Sequence, residues 1–104
     1  MMHEFDDFRL CTHRRALFRH DEEVRLRRKA YECLRYLVEQ CPRAVPKDEL
    51  CDAVWSPRIV SGETLTSTIK DVRHALGDRA QPYRYVRTLC GYGYRFVAAV
   101  GRST

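Results

Sequence analysis

The chain has 104 residues, 44% apolar and 32% charged; that is enough for one hydrophobic core and too little for two, and the periodic spacing of the apolar positions excludes a disordered tail. Nineteen Lys and Arg against fourteen Asp and Glu leave a net charge of +5, and sixteen of the nineteen cations are arginine, whose planar fork suits phosphate and guanine edges. No apolar run approaches the roughly 18 residues of a membrane span, the acidic start is wrong for a signal peptide, and the five cysteines lack any CxxC spacing that a zinc site or disulfide framework would need.

The expectation is a cytoplasmic domain without membrane contact, metal or cofactor, its cysteines reduced and mostly filling core. Residues 5–11 carry Phe8 and Leu10 on one parity. A polar corner at Thr12, His13 and Arg14 follows, then a short apolar run at 16–18. A second corner at 20–23 leads to Val24 and Leu26, which flank Arg25. This pattern predicts a small antiparallel sheet over about 5–26.

From 27 to 41 the period changes. Ala30, Leu34, Leu37, Val38 and Cys41 form one stripe of a helix. Its first residues, Arg27, Arg28 and Lys29, are cations where the helix dipole prefers anions. That is either a solvated basic patch or a place where an external phosphate sits. Pro42 ends this helix, and Pro46 opens a second over 46–55 as a first-turn proline. Pro57 stops the second helix, which leaves a connecting loop from Ser56 to Val60.

Ser61 is a good N-cap for a third helix over 61–77, with Glu63 in its first turn and Gly77 placed to end it. Leu65, Ile69, Val72 and Leu76 make its buried stripe. Thr64, Ser67, Thr68, Lys70, Asp71, Arg73 and His74 are the exposed remainder. Residues 83–99 are rich in β-formers and predict a hairpin, with Gly91 and Gly93 taking positive φ in its turn.

Two helices joined by a loop, the second with a polar outer face, make a helix-turn-helix, and the trailing hairpin makes it winged. The fold class is therefore α+β: an N-terminal antiparallel sheet, three helices and a C-terminal hairpin in a single domain over 1–104. A major groove distinguishes all four base pairs by donors and acceptors. Thr64, Ser67, Thr68 and Lys70 are predicted to face bases, and Arg73 a phosphate. No enzyme is expected. The four histidines are scattered, and the Gly91-Tyr92-Gly93 turn precedes a strand, unlike a phosphate-cradling loop.

The runs VPKDEL (45–50), Val54-Trp55, VSGETLTSTIKDVRHALGD (60–78) and VRTLCGYGYRFVA (86–98) resemble the OmpR/PhoB-type winged-helix effector domain. FDDFRL (5–10) and VRL (24–26) are similar to that family's leading sheet, so the resemblance covers about residues 5 to 99. Within the family, the chain looks like the ToxR/CadC-like subgroup, in which no receiver domain precedes the DNA reader. The resemblance implies a bacterial transcriptional regulator that binds double-stranded promoter DNA in pairs on half-sites. Its third helix would enter the major groove and its wing the minor groove. Tyr92 and Arg95, with Arg87 on the partner strand, are the implied wing contacts, and an arginine in a narrow minor groove reads its shape. Trp55 resembles a phosphate-contacting tryptophan; as residues alone it reads equally as a core aromatic. The loop 56–60 corresponds to the segment that touches RNA polymerase in some relatives.

Two positions depart from the family pattern. Asp71 stands where a cation is common; it could accept from cytosine N4 or pair with a neighbouring arginine. Cys90 stands where arginine is frequent. Both departures favour the alternative of a winged module that has lost DNA and binds a protein.

Overall fold

The computed structural model describes residues 1–79 and 81–103. Four short strands open the chain as an antiparallel meander: β1 (Met2–Phe5), β2 (Phe8–Cys11), β3 (Ala16–Arg19) and β4 (Glu22–Val24). Sequence periodicity predicted three strands starting at residue 5. The extra strand arises because Asp6 adopts φ 51° and splits the 5–11 run with a two-residue turn between Phe5 and Phe8. Short Asp side chains tolerate the left-handed region. At the next hairpin His20 and Asp21 are both left-handed, at φ 50° and 68°, as a tight hairpin between Arg19 and Glu22 requires. Register places His3, Leu10, Leu17 and Val24 in one row across the sheet, and this row faces the core.

Helix α1 (Arg28–Gln40) buries the expected stripe of Ala30, Leu34, Leu37 and Val38, joined by Tyr31 and Cys33. Helix α2 (Lys47–Trp55) follows a two-residue strand, β5 (Val45–Pro46). Pro46 is therefore not the first helical residue, as its position in the sequence predicted. It is the N-cap, extended at φ −61° and ψ 149°, and it pairs with Gly93. Helix α3 (Gly62–Leu76) starts and stops as expected. Ser61 Oγ accepts from the Thr64 N–H at 3.2 Å, and Gly77 ends the helix at φ 71°; such an N-cap contributes about 1 kcal/mol.

The C-terminal hairpin pairs β6 (Val86–Leu89) with β7 (Gly93–Phe96), and β7 also pairs with β5, giving the order β5-β7-β6. The hairpin is shorter than the predicted 83–99. A last strand, β8 (Gly101–Ser103), returns to pair with β1, so the N-terminal sheet runs β4-β3-β2-β1-β8. Of the two glycines assigned to positive φ, only Gly91 adopts it, at 74°. Gly93 is needed for a different reason: a Cβ there would overlap Val45 O and lie 2.9 Å from Lys47 N. β5 can approach β7 only over a bare Cα.

One core joins both sheets and all three helices. Phe5, Phe8, Tyr85 and Phe96 form an aromatic cluster with ring centroids 4.9–6.2 Å apart. All five cysteines are free thiols. Burial pushes the Cys33 thiol up to about 12, so it behaves as an apolar filler, whereas Cys90 is exposed on the wing.

Candidate nucleic-acid interface

At about 100° per residue, Leu65, Ile69, Val72 and Leu76 define the inward direction of α3, and all four are buried. The opposite direction is occupied by Ser67, Lys70, Asp71 and His74, spaced i, i+3, i+4, i+7. Ser67, Lys70 and His74 are exposed and Asp71 is half-buried. None of the four side chains has a hydrogen-bond or ion-pair partner among the described residues. Thr64 lies at the margin, half-buried, its hydroxyl 3.2 Å from Ser61 Oγ.

Two predicted contacts need correction. Thr68, predicted to face bases, is only 9% exposed and its hydroxyl donates to Thr64 O at 2.8 Å. It stands about 70° from the centre of the apolar stripe, close enough to be covered by α1. Arg73 is the predicted phosphate contact of the exposed face. It is half-buried on the other margin and faces the wing. Its Nε and Nη2 donate to Val86 O at 3.1 and 2.8 Å, and Nη2 also donates to Thr88 Oγ1 at 2.8 Å. The guanidinium lies 3.6 Å from the Tyr83 ring centroid, a cation–π stack.

Three clefts flank the free face, one of them, about 480 Å³, placing Arg25 and Arg27 beside Asp71 and His74. The first, about 540 Å³, lies between α3 and the wing and is lined by Lys47, Lys70, Arg73, His74 and Arg79, with Thr66 and Cys90 at its walls. Asp78, its one acidic wall residue, already accepts three backbone N–H groups, from Arg84, Tyr85 and Val86. Another, the second cleft, about 610 Å³, lies between α3 and the start of α1, where Arg27, Arg28 and Lys29 face Glu63, Thr64, Ser67 and Asp71. α1 has neither a side-chain cap nor an acidic residue in its first turn. Part of its cationic excess is offset from within: Glu32 lies 3.3 Å from Arg28 and 3.7 Å from Lys29, and Lys29 Nζ donates to Val54 O at 2.9 Å. Asp71 forms no ion pair among the described residues, so the predicted pairing with a neighbouring arginine is not observed. Trp55 is 7% exposed and belongs to the core, with part of its surface lining the second cleft.

On the wing, Tyr92 is 51% exposed at the tip, and Arg87 and Arg95 are exposed behind it. The main chain joins the wing to α2, with Lys47 N–H donating to Tyr92 O at 3.0 Å. His74 lies on the exposed face but was given no contact from sequence, and Thr66, at the wing-side margin of α3 with its hydroxyl donating to Gly62 O at 3.0 Å, had no place there. Lys47 and Arg79 had no local signal, because only the fold brings them beside α3. In the loop 56–60, Ile59 is fully exposed. Among the described residues, no helix is long and apolar enough to cross a membrane.

Residues 21–96 match the family model described as "Transcriptional regulatory protein, C terminal". The transcriptional regulator HilA of Salmonella typhi is 38% identical over 92 residues, covering 88% of this chain and 16% of the relative; the chain thus spans about a sixth of that relative's length. The response regulator DrrB of Thermotoga maritima, an OmpR/PhoB homolog, superposes with a TM-score of 0.82 at 27% identity, over 91% of this chain and 43% of DrrB. The RstA DNA-binding domain of Klebsiella pneumoniae, solved in complex with the RstA box, shares the fold with a TM-score of 0.82 at 19% identity, over 91% of this chain and 95% of that domain.

Proposed function

Because the chain belongs to the OmpR/PhoB-type family of transcriptional-regulator DNA-binding domains, we propose that residues 1–104 act as one reading unit on duplex DNA, with α3 in the major groove and the β6–β7 wing at the adjacent minor groove. One observation carries this reading: a helix face of unpartnered polar groups is bordered by a cationic cleft on the wing side and by Arg27, Arg28 and Lys29 on the α1 side. A major groove about 12 Å wide, walled by two phosphate strands, has the complementary pattern. RstA, which shares the fold, was solved in complex with the RstA box, which supports duplex DNA as the partner of the present chain.

In this reading Ser67 and Lys70 face base edges, with Thr64 at the margin. Asp71 accepts from cytosine N4, a role open to a carboxylate in that groove. Arg27, Arg28 and the Trp55 indole N–H meet one phosphate strand, and Lys47 and Arg79 meet the other. Arg87, Arg95 and Tyr92 lie along the minor groove. Such a domain works in the bacterial cytoplasm, without catalysis, and two copies on paired half-sites supply the affinity that a single small interface lacks. The full exposure of Ile59 supports reading the loop 56–60 as a contact for RNA polymerase. Substituting Ile59→Asp should leave DNA affinity unchanged and lower transcription from a bound promoter.

The test is fluorescence-anisotropy titration of promoter duplex from the neighbouring genes at several salt concentrations. With about five phosphates neutralised, log K should fall with log salt at a slope near −4.5, and Lys70→Ala should weaken binding. Salt-insensitive binding, or none to any duplex alongside a stable protein complex, would replace this reading with a protein-binding module.

A further inference from the structure

β6 is the outer strand of its sheet, so half of its backbone groups face away from β7. At Val86 those groups are fully taken up by side chains from the end of α3. The Val86 N–H donates to Asp78 Oδ2 at 3.0 Å, and Val86 O accepts from both Arg73 Nε and Nη2. Arg73 and Asp78 thus stand in for the missing neighbouring strand. Asp78 also gathers the N–H groups of Arg84 and Tyr85, at 2.7 and 3.0 Å. Thr88 and Tyr83 complete the grip on the Arg73 guanidinium.

We infer that Arg73 is a positioning residue that sets the distance between the reading face of α3 and the wing, and so the spacing of DNA features the domain accepts. This inference rests on the DNA reading above. Three of the five guanidinium N–H donors are committed to the wing. The strand they hold carries Arg87 and pairs with the one that carries Arg95. Helix and wing contact one duplex together only if their separation matches it. A rigid link makes the second contact nearly intramolecular once the first has formed. A lysine keeps the charge but cannot reproduce the two-pronged grip on Val86 O, so Arg73→Lys separates positioning from phosphate contact.

The experiment is a double-mutant cycle on duplex affinity. In the wild-type background Arg95→Ala should weaken binding about 10-fold. In the Arg73→Lys background the same change should cost less than about 2-fold, because the wing is no longer held in place. Lys70→Ala should cost the same in both backgrounds, since α3 still docks. Thr88→Val removes one partner of Arg73 without touching α3, and should shift the cycle in the same direction by less. Additive costs for Arg73→Lys and Arg95→Ala would overturn the inference and return Arg73 to phosphate contact. Should the wild type bind no duplex, the DNA reading fails, and backbone amide exchange in the free protein decides the positioning role. Arg73→Lys should then accelerate exchange at residues 86–89 and leave residues 34–38 of α1 unchanged. Equal rates in the wing would overturn it.

Discussion

Arg87 and Arg95 stand directly opposite one another on β6 and β7, both exposed, and neither has a carboxylate within ion-pair reach among the described residues. Like charges in directly opposed positions destabilise a strand pair by a few tenths to about 1 kcal/mol. The free wing therefore carries an electrostatic cost that a polyanion would relieve. Replacing either arginine by alanine should leave the melting temperature unchanged or slightly raised. The same change should lower duplex affinity and flatten the salt slope by about one unit. Thermal unfolding and salt titration of Arg87→Ala and Arg95→Ala check this; a lowered melting temperature with unchanged affinity would show that the wing arginines serve the fold.

The placement of Thr68 and Ser67 on α3 separates two neighbouring hydroxyls by role. Ser67 is exposed and unpartnered, whereas Thr68 spends its hydroxyl on Thr64 O. Thr68→Val should keep duplex affinity within about 2-fold, since it removes only an internal bond of modest net value. Lys70→Ala should cost about 1–3 kcal/mol of binding, and Ser67→Ala a part of that. Equilibrium titration of the three variants at one salt concentration gives the ranking, and a large loss for Thr68→Val would contradict it.

Gly91 and Gly93 are two residues apart yet constrained differently. Gly91 needs its φ of 74°, with open space around it, whereas Gly93 has ordinary φ and no room. Gly91→Ala should cost about 1 kcal/mol of stability. Gly93→Ala should cost more than about 2 kcal/mol, because it drives a methyl into the Val45 carbonyl and parts β5 from β7. Urea unfolding of both variants tests the order.

His3 is buried on β1 with both ring nitrogens unpartnered, 1% exposed. Burial holds its pKa below the ordinary 6.5. The Glu39 carboxylate, 3.8 Å away and engaged by Arg35 at 2.9 Å, opposes this, while Arg102, Arg35 and the chain's amino terminus reinforce it. The folded state thus keeps a neutral ring where the unfolded chain takes up a proton. Stability is complete above about pH 6.5 and declines as the pH falls below it, because the unfolded state then binds more protons. Denaturant unfolding between pH 7.5 and about 5 should show this decline, and His3→Leu should flatten it. An equally steep profile in the variant would assign the pH dependence to other groups.

Much of this molecule is legible from local pattern. The stripes of α1 and α3, the Ser61 cap, the Gly77 stop and the hairpin before Phe96 each depend on residues within a turn or two of one another. Chemistry at that range is written in the spacing itself. The polar face of α3 follows by exclusion, except at its two margins. Thr68 and Arg73 look as free as Ser67 on polarity alone, and only the packing of α1 and the wing against α3 decides that one is covered and the other captured.

What the sequence determined was the set of elements, the direction each helix turns its apolar side, and the family they resemble. Tertiary structure decided the rest. It made β5 and β8 strands, required Gly93 to be bare, brought Lys47 and Arg79 beside α3, and turned Arg73 inward to Val86. These outcomes depend on backbone groups and charges far apart in the chain meeting at close range, and periodicity carries no information about such meetings.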